Sequence, residues 1–220
     1  MSPLIPRRRG RAGAHRTRRR RATVAAAAAA ALLAVPATVA TAAPGPADGA
    51  GGGARTEQQT LAAKRLDITM QAQQQSNWCW GAAGNTIAAY LGRSYSQNAF
   101  CNAAFGRSQG SSCPNWQATL GNVQNALGWM GINRGSYVTG WLRYGTVQQE
   151  INANRPVETR IGWTSGGGHM HVLYGYDTSE GWVYWGDPWP SNSRYNWATH
   201  NWYIDNYEFA WTHSLYRIGA

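Results

Sequence analysis

The chain has 220 residues and a formal net charge of +10, yet nine of its twenty basic residues crowd into Arg7 to Arg21, ahead of the first acidic residue, Asp48. From Ala43 onward 11 basic residues face 10 acidic ones, so the folded part has no charge excess of the kind that binds nucleic acid. No Cys-x-x-Cys and no His-Glu-x-x-His occurs, which leaves no legible metal set, and no cofactor is expected.

The elements follow in chain order. Residues 1–42 have the form of an export signal: an Arg-rich start, an apolar run from Ala22 to Val39, and the small residues Ala40-Thr41-Ala42-Ala43 at the cleavage point. The run is mostly alanine and is broken by Pro36, so it falls short of the roughly 20 strongly apolar residues of a membrane span. A secreted protein is expected, with no membrane attachment after cleavage; the route, Sec or twin-arginine, stays open. Residues 43–65, rich in Ala, Gly and Pro, read as a flexible linker or short pro-segment. Residues 66–220 make one domain.

Within it, Trp80, Ala83, Ile87 and Leu91 recur on one helical face, which predicts a helix over Cys79–Leu91 stopped by Gly92. Leu120, Val123, Leu127 and Met130 predict a second over Asn115–Met130, ended by Gly131. Thr146 and Gln149 have capping-box spacing and predict a third helix that ends before Pro156. Beyond Pro156 the pattern turns to strands, at Val157–Trp163, His169–Tyr176, Gly181–Trp185 and Tyr207–Ile218. Helices first and strands after predict an α+β fold, a helical half packed on an antiparallel sheet.

Three cysteines in a secreted chain leave one unpaired. Cys101 and Cys113 lie close together in a loop-like stretch and are the expected disulfide, which makes Cys79 the free thiol. Cys79 stands where the first helix begins, and a helix N-terminus with a nearby imidazolium favours the nucleophilic thiolate. His169 and His171 lie two apart on one predicted strand and share a face. His169, after Gly166-Gly167-Gly168, opens the strand and is the better general base; His171 reads as a wall residue, His200 and His213 as structural. Asp187, in Asp187-Pro188, closes the next strand and can orient an imidazole. Asn192 and the turn residue Asp177 are weaker alternatives. A side-chain amide from Gln71, Gln73, Gln74 or Gln75 can serve an oxyanion beside the Cys79 N–H, and the residues alone do not choose among the four.

Gln73…Cys79-Trp80, Gly168-His169…Gly175-Tyr176 and Asp187-Pro188 together resemble the papain-like cysteine peptidases. The likeness is to compact bacterial members: secreted effector proteases of plant pathogens and peptidase domains of bacteriocin exporters. It spans roughly Leu66 to Trp189. In that family a Gln six residues before the Cys completes the oxyanion site, which selects Gln73, and a Gly-Tyr pair after the His selects His169. The resemblance implies a papain-like fold, a Cys79-His169-Asp187 triad, and substrate contacts at Trp78, Trp80, Gly167 and Gly168. His171 interrupts the apolar strand usual there, and the aromatic tail from Trp197 matches no motif.

The expectation is therefore a secreted, monomeric cysteine endopeptidase acting on protein or peptide substrates through an acyl-enzyme, without metal, cofactor or nucleic acid. A peptidoglycan amidase or endopeptidase is one alternative. A non-catalytic module binding carbohydrate or peptide is another, since 12 Trp and 11 Tyr could form a stacking surface.

Overall fold

The computed structural model describes residues 62–220. The expected signal peptide, 1–42, and most of the expected linker lie outside the described residues. The linker does not run to residue 65 as expected: β1 (Ala63–Arg65) pairs antiparallel with Gly175-Tyr176-Asp177, so ordered structure begins before residue 66. Among the described residues no helix is long and apolar enough to cross a membrane.

The helical half comes first. α1 (Cys79–Tyr90) is buried from Trp80 to Ala88, which its small residues permit. A Cβ on Gly84 would lie 2.6 Å from Phe100 Cζ and 2.9 Å from Val123 Cγ1, so only glycine lets the helix sit this close to its neighbours. Gly92, at φ +80°, ends it: Gly92 N bonds Ala89 O and Arg93 N bonds Ala88 O, a Schellman stop. α2 (Gln97–Ala104) was not expected in the Cys101 region, although Ser96 is a proper N-cap whose side chain accepts from Ala99 N. α3 (Leu120–Trp129) begins five residues later than the periodicity suggests. Asn115 and Trp116 are held elsewhere, since Asn115 bonds Asn77 and the Trp116 carbonyl accepts from Trp80 Nε1. α4 (Tyr144–Asn152) starts at Tyr144 without the expected Thr146 cap; the capping box belongs instead to Thr119 and Asn122 of α3.

The sheet half holds β2 (Ser136–Thr139), β3 (Val157–Trp163), β4 (Gly168–Asp177), β5 (Trp182–Gly186), β6 (Tyr195–Thr199) and β7 (Phe209–Tyr216), with α5 (His200–Ile204) between the last two. Strand order is β2-β7-β3-β4-β5-β6, every pair antiparallel. The α+β class with an antiparallel sheet matches the expectation. β1, β2, β6 and α5 were not foreseen. Three are short strands and the fourth a five-residue helix, too brief for periodicity to show. β1 also explains Gly175: a Cβ there would lie 2.8 Å from Lys64 O, so the glycine leaves room for β1 to add to β4. Ten of the 26 aromatic residues are buried in the core, including Trp80, Tyr176, Tyr203 and Trp211, and seven more pack against it partly buried.

Candidate active site

The site forms where the start of α1 meets the start of β4 and the end of β5. The chain reaches α1 through a turn in which Trp78 N bonds Gln75 O, so Cys79 becomes the first helical residue. The first backbone N–H groups of a helix have no intrahelical partner, and they surround the Cys79 sulfur with positive potential. Cys79 is the free thiol and is partly exposed, while Cys101 and Cys113 are disulfide-bonded as expected.

His169 stands at the opening of β4, sharing the cleft with Cys79 and hydrogen-bonded to Asp187. Its Nε2 lies 2.7 Å from Asp187 Oδ1. Trp163 stacks on the imidazole at 6.0 Å between centroids, and Trp189 meets it edge-on at 6.3 Å. His169 and Asp187 are therefore shielded from bulk water, each 5% exposed, while the Cys79 sulfur stays open to the cleft. Burial pulls the His169 imidazole down, but the hydrogen bonds to Asp187 and Cys79 and their charges outweigh it, and its pKa is raised to about 9. Burial pushes the Asp187 carboxyl up, yet the hydrogen bond from His169 and the nearby imidazole of His171 dominate and hold it well below the usual carboxylate range. The arrangement favours an imidazolium next to a sulfur nucleophile.

Asp187 is itself well anchored. Oδ1 also accepts from Trp189 N at 2.8 Å, and Oδ2 accepts from Asn192 Nδ2 at 2.9 Å. Asn192, the weaker alternative in the sequence, thus supports Asp187 rather than replacing it. Asp177 caps its own turn through Ser179 N and Oγ and is not part of the site.

His171 lies deeper than the sequence alone could say. It is 2% exposed, its Nδ1 lies 3.2 Å from Tyr203 Oη, and its Nε2 lies 3.6 Å from Asp187 Oδ2. Tyr203 Oη in turn lies 2.7 Å from Thr159 Oγ1. Burial holds the His171 pKa down. His169, His171 and Asp187 have donor atoms within 4.8 Å of one another, the only metal-compatible grouping of three among the described residues. The Asp187 oxygens in this grouping are already engaged by hydrogen bonds. His200, bonded to Leu142 O, and His213, bonded to Thr212, are structural as expected.

Two expected site residues are placed differently. Gln73 is 6% exposed, and its Nε2 donates to Gln75 O at 2.9 Å and to Ser76 O at 2.8 Å, so both amide protons hold the loop that delivers Cys79. It is not among the residues lining the cleft. Trp78 is not a substrate contact: it is 3% exposed and donates Nε1 to Pro114 O. Gly167 and Gly168 do line the cleft, a cavity of about 600 Å³ that holds Cys79 and His169; Trp80 borders it too, but is 1% exposed and donates Nε1 to Trp116 O, so it is chiefly a core residue. Sequence reasoning missed Trp163, Arg160, Met170 and Trp189, which also line it. Only their places beside the histidine's strand could have signalled them.

The family profile described as the papain-like cysteine protease AvrRpt2 matches residues 62–208. Among solved structures, the peptidase domain of Streptococcus ComA, a bi-functional ABC transporter of a quorum sensing pathway, is similar. It shares 15% identity at a TM-score of 0.48, over 69% of this chain and 97% of that one. A double glycine motif protease from an AMS/PCAT transporter, solved with its leader peptide, shares 17% identity at a TM-score of 0.43, over 69% and 92%. Xylellain, a cysteine protease from Xylella fastidiosa, shares 10% identity at a TM-score of 0.42, over 70% and 85%. No curated protein matches the chain.

Proposed function

The chain belongs to the papain-like cysteine protease family of AvrRpt2, and we propose that it is a secreted endopeptidase working through a Cys79-His169-Asp187 triad and an acyl-enzyme. The observation that carries the reading is a free thiol at the N-terminus of α1 that shares its cleft with His169, whose imidazole is hydrogen-bonded to buried Asp187.

Asp187 occupies His169 Nε2, which leaves Nδ1 for the thiol. In the proposed cycle the Cys79 thiolate attacks the peptide carbonyl carbon, and the oxyanion is held by the Cys79 backbone N–H. The C–N bond breaks as His169 gives its proton to the leaving amine. Water then attacks the thioester while His169 takes its proton, and the C–S bond breaks to release the acid and restore the thiolate–imidazolium pair. Gln73 supports the oxyanion site by fixing the Gln75 and Ser76 carbonyls, and so the approach to Cys79. The Cys101–Cys113 disulfide supports secretion, because such bonds persist in oxidising compartments.

The test compares the purified protein with its Cys79→Ala variant on an unfolded protein and on peptidoglycan fragments. Cleavage of the protein by the parent alone is the expected result. Equal hydrolysis by both would overturn the assignment of Cys79, and cleavage confined to peptidoglycan would move the substrate to the cell wall.

A further inference from the structure

A second cavity, of about 660 Å³, opens on the far side of Asp187 and His171. Trp163 and Asn192 line both it and the catalytic cleft, so a chain lying over Cys79 can reach into it. Its walls are aromatic: Trp163, Trp185, Tyr195, Trp197, Trp202 and Phe209. Two of these rings face solvent: Trp197 is 58% exposed and Tyr195 43% exposed.

Aromatic walls alone would suit an aliphatic or aromatic side chain as well as a cation, and charge separates these. The cavity is lined by the carboxylates of Asp187 and Glu208 and by no Lys or Arg. Asp187 is engaged by His169 and Asn192, whereas Glu208 is exposed at the rim. Arg194, in the adjoining loop, directs Nη1 to the carbonyls of Asp187 and Trp189. The catalytic cleft has the opposite character, for Arg160 lines it. A basic side chain is therefore disfavoured beside Arg160 and favoured beside Glu208, where ring faces attract a cation and the side-chain oxygens of Ser191, Ser193 and Asn196 can accept N–H bonds.

We propose that this second cavity is a specificity site for a basic side chain, Arg or Lys, of the peptide substrate. The assignment rests on the peptidase reading, and it names the substrate feature that reading leaves open.

The test has two arms. In the first, kcat/KM is measured for peptides carrying Arg, Lys, citrulline or norleucine at each position flanking the scissile bond. One position should favour Arg or Lys by about tenfold. Trp197→Ala and Glu208→Gln should each erase that preference, bringing kcat/KM for the Arg and Lys peptides down to that for citrulline. In the second arm, tryptophan fluorescence follows the binding of the Arg and citrulline peptides to Cys79→Ala protein, with and without Trp197→Ala. The Arg peptide should bind tighter only when Trp197 is present. Equal kcat/KM for Arg and norleucine at every position, or a preference that survives both substitutions, would overturn the proposal. If the parent cleaves no peptide, the binding arm decides alone. Selective Arg binding that needs Trp197 would keep the cation site and remove the peptidase reading, and equal binding of Arg and citrulline peptides would remove the cation site.

Discussion

His169 Nε2 and Asp187 Oδ1 lie 2.7 Å apart between two tryptophans, and this buried contact helps keep the imidazole protonated to a pH of about 9. The imidazolium is the form that pairs with a thiolate, so activity should hold from neutral pH until it falls through about pH 9. Asp187→Asn removes the negative charge that raises His169 while burial, which lowers it, remains. The alkaline limb of kcat/KM should therefore move down by a pH unit or so, with a loss of roughly 10- to 100-fold in kcat at pH 8. A pH–rate profile of the two proteins checks this; an unmoved alkaline limb would show that Asp187 does not govern His169.

Glu158 makes a prediction about stability. It is fully buried on β3, and neither carboxyl oxygen has a hydrogen-bond partner among the described residues. Burial, and then nearby Cys79, raise its pKa well above the ordinary value. Below the unfolded value, roughly pH 4.3, both states are protonated and the group adds no pH dependence. Above it the unfolded chain ionises while the folded one keeps its proton, so stability falls as pH rises until the folded carboxyl ionises too. Glu158→Gln removes that dependence. Urea unfolding should show the variant gaining on the parent by about 1–3 kcal/mol between pH 4 and pH 8.

Gly84→Ala tests the close packing of α1. Alanine favours a helix interior by roughly 1 kcal/mol over glycine, but its Cβ would meet Phe100 at 2.6 Å and Val123 at 2.9 Å. Overpacking should win, with a net loss of about 1–2 kcal/mol in denaturant unfolding. A stabilised variant would mean that α2 and α3 yield more readily than the packing implies.

The Cys101–Cys113 disulfide should affect both stability and the site. It ties α2 to the segment whose Pro114 carbonyl accepts from Trp78 Nε1 and whose Asn115 side chain accepts from Asn77 N. Loop entropy assigns a closure of this size about 3 kcal/mol. The double variant Cys101→Ala with Cys113→Ala should melt several degrees lower, and its kcat should fall because the turn that delivers Cys79 is loosened. A full kcat beside a lowered melting temperature would separate the two roles.

Much of this protein was determined by its sequence alone. α1 follows from Trp80, Ala83 and Ile87 on one face and a glycine stop, and β3 from an unbroken run after Pro156. Those signals are local, carried by residues three, four or two apart, and so is the parity that left Cys79 free of a bridge. What only the tertiary structure decided is non-local. Gln73 was expected to point its amide at substrate, but the folded loop offers it the Gln75 and Ser76 carbonyls first. Trp78 flanks the cysteine in sequence yet turns into the core, because a helix start sends successive side chains in different directions. His171 and Asn192 reach Asp187 only because β4, β5 and the following loop come together. The pairing of Trp163 with His169 depends on the register of β3 against β4, a contact between strands that no spacing along one segment encodes.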